Sequence, residues 1–253
     1  LMDSTFLGKL KNKWGEGKFV CIGLDKGNFE FDKNIIDQTF DLICAYKPNI
    51  AFYEAGNLDD LKKTIDYIKQ KDPSLPIILD AKRGDIGNTN VGYVKDIFDN
   101  LGFDAVTVHP YLGKESLEPF LKRADKGIFV LVKTSNPGAG EFQNLPVEGR
   151  PLYQVVAEHV AKDWNTNGNC CVVVGATYPE ELKKVREIVG NMPILVPGIG
   201  AQGGDLKAVL QNGLDSNKQG LIISSSRGII YAPNPKEAAQ DLHSKIQEIL
   251  KNV

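Results

Sequence analysis

The sequence has no apolar run long enough to cross a membrane and no tract of basic residues. Its 253 residues include 30 lysines and arginines and 32 aspartates and glutamates, which are interspersed and give a net charge of −2. A membrane-spanning helix needs about 20 apolar residues, and proteins that bind nucleic acids carry basic clusters. We therefore expect no membrane partner and no nucleic-acid partner. The N-terminal residues also lack the charged-then-apolar profile of a secretory signal.

Cysteine and histidine are scarce, with four and three residues respectively. Cys21, Cys44, Cys170 and Cys171 form no C-x-x-C pair, and all but Cys44 lie inside apolar runs typical of strands. This spacing does not match a zinc site, and free thiols are typical of a reducing compartment. We expect buried free thiols, no metal ion, no cofactor and a cytoplasmic location.

Strand-like and helix-like patterns alternate eight times along the chain. The apolar runs typical of strands are Phe19–Leu24, Ala45–Asn49, Ile77–Lys82, Ala105–His109, Ile128–Lys133, Cys170–Gly175, Ile194–Pro197 and Leu221–Ser224. The stretches with helical periodicity are Lys33–Ile43, Leu58–Gln70, Val91–Leu101, Lys114–Ala124, Leu152–Trp164, Pro179–Val189, Asp205–Asn212 and Pro235–Leu250. Eight such units in about 250 residues are typical of a (β/α)8 TIM barrel, here a single domain over residues 1–253. A doubly wound parallel sheet is the alternative.

Polar side chains stand at the ends of the predicted strands. Asp25 follows the first strand, Lys47 and Asn49 end the second, and Asp80 and Lys82 end the third. Because strand side chains alternate between faces, Lys47 shares a face with Asn49, and Asp80 shares a face with Lys82. In a TIM barrel the carboxyl ends of the strands carry the active site. The pattern therefore predicts a functional site at this end of the barrel.

The third strand and the turn that follows it form the most polar of these ends. Charges on the inner face of a buried strand cost several kcal/mol unless they are paired or used. Asp80 and Lys82 are therefore either a structural ion pair or part of a catalytic site. Gly84 permits a turn after the strand, and Asp85 is in position to cap the next helix, with Thr89 one turn further along.

The last two units have the features of a phosphate site. The seventh strand leads into a glycine-rich loop, Pro197 to Asp205, that opens a helix, and Arg227 follows the eighth strand. Backbone amides, a helix N-terminus and an arginine all favour an anion, and Gln202 adds a neutral donor. The glycine spacing resembles a dinucleotide fingerprint. Its late position, with no acidic residue closing a following strand, favours a phosphate monoester instead.

These residues together resemble the orotidine 5'-phosphate decarboxylase family. The resemblance covers essentially the whole chain and rests on four pieces: Lys47, the pattern Asp80-x-Lys82-x-x-Asp85-Ile86-x-x-Thr89, the loop Val132 to Pro137, and the loop Pro197 to Gln202. It is closest to the subgroup with an Asp-Ile-Gly-Asn-Thr type of motif. One position departs from the pattern, because Ser226 stands where the family has glycine before the phosphate-binding arginine.

The resemblance implies a cofactor-independent carboxy-lyase that converts orotidine 5'-monophosphate to uridine 5'-monophosphate in de novo pyrimidine biosynthesis. Loss of carbon dioxide leaves an electron pair that the pyrimidine ring does not delocalise, so the protein must supply fixed positive charge and a proton. The implied catalytic residues alternate in charge: Lys47, Asp80, Lys82 and Asp85. Lys82 would protonate C6.

The resemblance also implies a homodimer with shared active sites, in which the partner contributes Asp85, Ile86 and Thr89. The substrate-binding residues that it implies are Asp25, Lys47 and Thr89 for the ribose, Ser135 for the base, and Gln202 and Arg227 for the phosphate. Further candidates for substrate binding are Asn49, Pro197 and Ser226.

Three other functions stay open at this point. A sugar-phosphate decarboxylase or aldolase of the same barrel superfamily would use magnesium and an acidic residue in place of Lys47. A Schiff-base aldolase would use Lys82 or Lys133 and would be trapped by borohydride. A binding protein for a phosphate ligand would bind uridine 5'-monophosphate without turnover.

Overall fold

Eight parallel strands form the centre of the protein in a computed structural model that describes residues 3–200 and 203–252. The strands are β1 (Val20–Leu24), β2 (Ala45–Pro48), β3 (Ile78–Arg83), β4 (Ala105–Val108), β5 (Gly127–Lys133), β6 (Cys170–Val174), β7 (Ile194–Pro197) and β8 (Leu221–Ser225). Their order in the sheet is β2-β1-β8-β7-β6-β5-β4-β3. Parallel bridges between Tyr46 and Ile77 and between Asn49 and Asp80 join the two outer strands. The sheet therefore closes, and the predicted (β/α)8 TIM barrel is confirmed.

One helix precedes β1, and the others follow the strands around the outside of the sheet. They are α1 (Phe6–Gly15), α2 (Phe29–Thr39), α3 (Ile50–Ala55), α4 (Leu58–Lys71), α5 (Gly87–Val94), α6 (Gly113–Leu121), α7 (Gly140–Gln143), α8 (Leu152–His159), α9 (Pro179–Val189), α10 (Leu206–Gly213), α11 (Arg227–Ile230) and α12 (Pro235–Leu250). π-helical turns over Lys95–Leu101 and Val160–Trp164 extend α5 and α8. Each predicted helix is present. The first predicted helix corresponds to α2. It begins earlier than predicted, because the Asn28 side chain accepts a hydrogen bond from the Phe31 amide and caps α2.

Helix α1, which the sequence did not predict, covers the amino-terminal end of the barrel. The indole of Trp14 donates a hydrogen bond of 2.8 Å to the carbonyl of Leu221 at the start of β8. Phe6 packs edge to face on Phe129 of β5, with ring centroids 5.5 Å apart. These contacts close the end of the barrel opposite the predicted site.

The strands are buried because helices cover the outside of the sheet and side chains fill its interior. The β6 sequence Cys170-Cys171-Val172-Val173-Val174 is buried along its whole length. All four cysteines are free and buried, as predicted, and burial raises the pKa of the Cys170 thiol to about 12. Within the described residues, no helix has the length and apolar character needed to span a membrane.

Candidate active site

A cavity of about 330 Å³ opens at the carboxyl ends of the strands. Strands β2 to β4 and the loop after β5 give it a polar wall, and β5, β6 and β7 contribute apolar side chains. The lining residues are Lys47, Asp80, Lys82, Thr107, Leu131, Thr134, Ser135, Asn136, Val173, Leu195 and Pro197. Five predicted site residues are thus brought together: Lys47, Asp80, Lys82, Ser135 and Pro197.

Lys47, Asp80 and Lys82 form a row of alternating charge on the wall of this cavity. The ammonium nitrogen of Lys47 lies 2.8 Å from Oδ2 of Asp80, and that of Lys82 lies 2.6 Å from Oδ1. Lys47 and Asp80 are buried, whereas 52% of the Lys82 side chain is exposed. Both oxygens of the carboxylate are therefore held by cations, and the row carries a net charge of +1 toward the cavity.

The row keeps its charges because its members stabilise one another. Burial alone would raise the pKa of Asp80, but Lys47 and Lys82 outweigh burial and hold this pKa well below its ordinary value. Burial alone would lower the pKa of Lys47, but Asp80, with Asp25 and Cys21, raises it above its ordinary value. An ion pair of this kind, buried at a barrel mouth, is a recurring mark of functional sites.

Thr107 of β4 fixes the backbone that carries Lys82. Its hydroxyl oxygen accepts hydrogen bonds of 3.0 Å from the amides of Ala81 and Lys82 and donates one of 3.1 Å to Asp80. The register between β3 and β4 shifts at this point, and Lys82 has a φ of +47°. Asp80 and Lys82 do share a side, as predicted, but through a bulge and not through regular strand alternation. A left-handed backbone costs a residue other than glycine about 1–2 kcal/mol.

The turn from Asp85 to Thr89 lies outside the cavity lining. The prediction that Asp85 caps the next helix is wrong, because its Oδ1 accepts a 2.6 Å hydrogen bond from the adjacent amide of Ile86 and α5 has no side-chain cap. Asn90, a buried residue that the sequence did not single out, fixes the turn instead. It donates to the carbonyl of Asp85 over 2.7 Å and accepts from the Asp85 amide over 3.1 Å. Ile86 is 61% exposed and Thr89 is exposed, and neither lines the cavity of its own chain.

Ser135 enters the cavity at a point where the backbone of β6 leaves room for it. A Cβ atom added to Gly175 would lie 2.7 Å from Cα of Ser135, so only glycine permits this approach. The loop is fixed by Gln143 of α7, whose amide accepts from the Thr134 backbone over 2.9 Å and donates to the Thr134 hydroxyl over 2.8 Å. The sequence predicted neither α7 nor its contacts.

Lys133 lies behind this loop and is fully buried. Its ammonium group donates to the side-chain oxygen of Asn144 over 2.8 Å and lies 4.5 Å from the ring centre of Tyr178. Burial lowers its pKa. The ammonium group thus ties the end of β5 to the segment after α7 and does not line the cavity.

The loop after β7, the predicted phosphate site, is held by hydrogen bonds of its own backbone and by a helix cap. The amides of Gly203 and Gly204 donate to the carbonyls of Gly200 and Gly198 over 3.0 and 3.2 Å. The Asp205 carboxylate caps α10 by accepting from two amides at its N-terminus. Two of the first amides of α10 are thus bonded to Asp205, and the binding of an anion at this helix end stays a prediction. Gln202 lies outside the described residues. Arg227 is exposed, at the start of α11.

The remaining predicted residues lie beside the cavity. Asn49 caps α3 by accepting a 3.2 Å hydrogen bond from the Ala51 amide, so its side chain terminates β2. The side-chain oxygen of Ser226 lies 2.6 Å from Oδ2 of Asp25. Oδ1 of Asp25 is buried and accepts no hydrogen bond from the described residues. Among residues 3–200 and 203–252, no group of three or more His, Cys, Asp or Glu side chains is placed to hold a metal ion.

Comparison with known proteins identifies similar chains over this whole architecture. The profile of the Orotidine 5'-phosphate decarboxylase / HUMPS family matches residues 18–242. The orotidine 5'-phosphate decarboxylase of Janthinobacterium sp. (strain Marseille) is 48% identical over 252 residues, which cover 93% of each chain. The structure of Leishmania donovani OMP decarboxylase is 39% identical, with a TM-score of 0.91 over 97% of this chain and 98% of its own. Leishmania donovani UMP synthase has a TM-score of 0.93 at 41% identity over 97% of this chain, which spans 56% of that longer chain.

Proposed function

This chain belongs to the orotidine 5'-phosphate decarboxylase / HUMPS family, and from that premise we propose that its cavity binds orotidine 5'-monophosphate with the C6 atom beside Lys82. The protein is a carboxy-lyase that converts this nucleotide to uridine 5'-monophosphate in pyrimidine biosynthesis. The observation that supports the site assignment is the row of Lys47, Asp80 and Lys82 at the barrel mouth. We further propose that residues 1–253 form a single domain that carries this function.

Lys82 supplies positive charge and a proton in the proposed reaction. The bond between C6 and the carboxylate carbon breaks, carbon dioxide leaves, and the electron pair stays on C6. The Lys82 ammonium stabilises this pair and transfers a proton to C6, after which the neutral amine takes a proton from water. The partly exposed side chain of Lys82 suits this role. Buried Lys47 and Asp80 hold the ammonium and the charge pattern fixed before substrate binds.

The other predicted residues bind different parts of the substrate in this proposal. Asp25, Lys47 and Thr89 bind the ribose hydroxyls, Ser135 and the Pro197 wall bind the base, and Gln202 and Arg227 bind the phosphate. Arg227 is the cationic phosphate ligand of this group, since a guanidinium can donate two parallel hydrogen bonds to a phosphate. Asn49 and Ser226 act through neighbouring residues, since the side chain of Asn49 caps α3 and that of Ser226 is bonded to Asp25.

The active site is shared between two subunits in our proposal. Asp85, Ile86 and Thr89 belong to a turn outside its own cavity, and Ile86 exposes 61% of its surface. In a two-fold dimer each subunit would place this turn over the cavity of the other, so that Asp85 completes the row of alternating charges. We place the enzyme in the cytoplasm, where its four free cysteines stay reduced.

Two of the alternatives fit the contacts less well. A magnesium enzyme would need carboxylate ligands, yet both oxygens of Asp80 are held by lysines. A Schiff-base aldolase that used Lys133 would need a carbonyl compound to reach a fully buried nitrogen.

The test of the proposed function is turnover of orotidine 5'-monophosphate, followed by loss of pyrimidine absorbance. We expect the purified protein to produce uridine 5'-monophosphate at the same rate with EDTA and with added magnesium. Binding without turnover would show a binding protein, and a requirement for magnesium would favour the sugar-phosphate enzyme. Borohydride trapping with a carbonyl substrate should leave both Lys82 and Lys133 unmodified.

A further inference from the structure

Ser226 makes a contact that its place before Arg227 did not predict. Its hydroxyl oxygen lies 2.6 Å from Oδ2 of Asp25 and 3.0 Å from the carbonyl oxygen of Gly23. The hydroxyl has one hydrogen, and the carboxylate is both the nearer acceptor and the charged one. Ser226 at the end of β8 therefore holds the carboxylate that follows β1.

The local backbone is shaped to allow this contact. A Cβ atom added to Gly23 would lie 2.9 Å from Cβ of Ser226 and 3.2 Å from its hydroxyl oxygen. The carbonyl of Ser226 accepts hydrogen bonds of 2.8 and 3.0 Å from the amides of Ile229 and Ile230, which form the first turn of α11. The side chain of Ser226 thus holds Asp25 while its backbone begins the helix that carries Arg227.

The second oxygen of Asp25 indicates that the contact between Ser226 and Asp25 has a functional role beyond a structural one. Oδ1 is buried and accepts no hydrogen bond from the residues that the structure describes. A buried carboxylate oxygen without a donor is unfavourable, and such groups in native proteins require an explanation. A hydrogen-bond donor on the substrate explains the unpaired oxygen, because a ribose hydroxyl can donate to a carboxylate, which only accepts.

We propose that Ser226 is a positioning residue, which orients Asp25 so that its second oxygen accepts a hydrogen bond from a ribose hydroxyl. This inference rests on the proposed function and deepens it. Ser226 does not touch the nucleotide itself but fixes the direction of the carboxylate that does. It thereby sets the preference of the enzyme for a ribonucleotide over a nucleotide that lacks this hydroxyl.

The test compares orotidine 5'-monophosphate with its 2'-deoxy and 3'-deoxy derivatives. Ser226→Ala removes the hydroxyl and leaves the helix start intact. We expect kcat/KM for the ribonucleotide to fall about 10-fold or more, as for loss of a charge-assisted hydrogen bond. With the derivative that lacks the hydroxyl bound by Asp25, kcat/KM should change less than 2-fold, roughly the scatter of such comparisons. Ser225→Ala, the neighbouring residue on β8, is the matched control and should leave the preference unchanged.

Two further variants keep the proposal falsifiable. Gly23→Ala should displace Ser226 and reduce the same preference, even if Ser226→Ala does not fold. In an Asp25→Ala background, Ser226→Ala should have no further effect on the preference. If Ser226→Ala slows all three nucleotides equally, or changes none of them, the positioning role is refuted. Failure of the unaltered protein to decarboxylate orotidine 5'-monophosphate would instead overturn the proposed function.

Discussion

The ammonium nitrogen of Lys82 lies 2.6 Å from Oδ1 of Asp80, although 52% of the lysine side chain is exposed. Asp80 is buried, so the contact fixes the ammonium group of the half-exposed lysine at the wall of the cavity. The contact holds a positive charge, and in our proposal the proton donor, at one place on the wall before substrate arrives.

Lys82→Ala is therefore expected to abolish decarboxylation in a protein that stays folded. Loss of a positioned proton donor and a fixed charge should lower kcat at least ~10³-fold. Initial rates, with circular dichroism to show that the barrel is intact, provide the measurement. Lys122→Ala, which removes a lysine whose side chain is 73% exposed on the outer surface, should behave like the unaltered protein. Retention of more than a few per cent of the rate in folded Lys82→Ala would refute the assignment.

Arg227→Ala should weaken transition-state binding by several kcal/mol, because each charge-assisted hydrogen bond contributes about 1.5–3 kcal/mol. The loss should nearly vanish with orotidine, which lacks the phosphate. We would measure kcat/KM for both substrates with the unaltered protein and with Arg227→Ala. The four values give the interaction free energy between Arg227 and the phosphate. Lys207→Ala, which removes an exposed lysine from the first turn of α10, serves as a control for the loss of one positive charge. Equal losses with both substrates would show that Arg227 has a structural role.

Mixing two inactive variants tests whether Asp85 acts on the cavity of the other subunit. Lys82→Ala and Asp85→Ala should each be nearly inactive alone. If Asp85 acts across a two-fold dimer, one site of a mixed dimer carries both defects and the other carries none. Random exchange of equal amounts should then restore about a quarter of the normal sites.

Subunit exchange in this experiment is verified with a mass tag on one variant. If Asp85 serves its own cavity, each site of the mixed dimer keeps one defect and no activity returns. Verified exchange without recovered activity would therefore refute the shared site.

Asp32 of α2 predicts a pH dependence of stability. Burial raises the pKa of this carboxyl group to about 6, although Tyr53 and Thr64 donate hydrogen bonds to it. A carboxyl group with a raised pKa contributes stability that is full below its ordinary value of 3.8 and is lost as the pH rises through about 6. The loss is roughly 3 kcal/mol, from about 1.4 kcal/mol per unit of pKa.

Asp32→Asn should remove this dependence, so that the variant gains stability relative to the unaltered protein between about pH 4 and pH 7. Denaturant unfolding across this range is the measurement. Asp37→Asn is a control of opposite sign, because Lys71, Tyr67 and Lys33 lower the pKa of that more exposed carboxyl group. Its removal should cost stability near neutral pH, and the cost should shrink as the pH falls. A constant difference for Asp32→Asn would contradict the expectation.

The sequence predicted the barrel well because its eight apolar strands and amphipathic helices are local patterns. It also placed Lys47, Asp80 and Lys82 together, since strand ends of a parallel barrel meet at one rim. The sequence did not predict the bulge at Lys82, because the bulge depends on Thr107, which lies on another strand. The roles of Asn90 and Gln143 depend on tertiary contacts in the same way. The one sequence signal for such a contact is Thr107, a polar residue between two valines on β4.

The left-handed backbone of Lys82 implies a trade-off between stability and activity. Its φ of +47° is a conformation that glycine adopts freely, whereas any other residue is strained there. Lys82→Gly and Lys82→Ala both remove the amine, yet the glycine variant should be more stable by about 1 kcal/mol, because it relieves the strain. Equilibrium unfolding of the two variants measures the difference, and an equal or lower stability of Lys82→Gly would show that no strain is held there. The proposed proton donor thus stands at a position where the fold would be more stable with a residue that has no side chain.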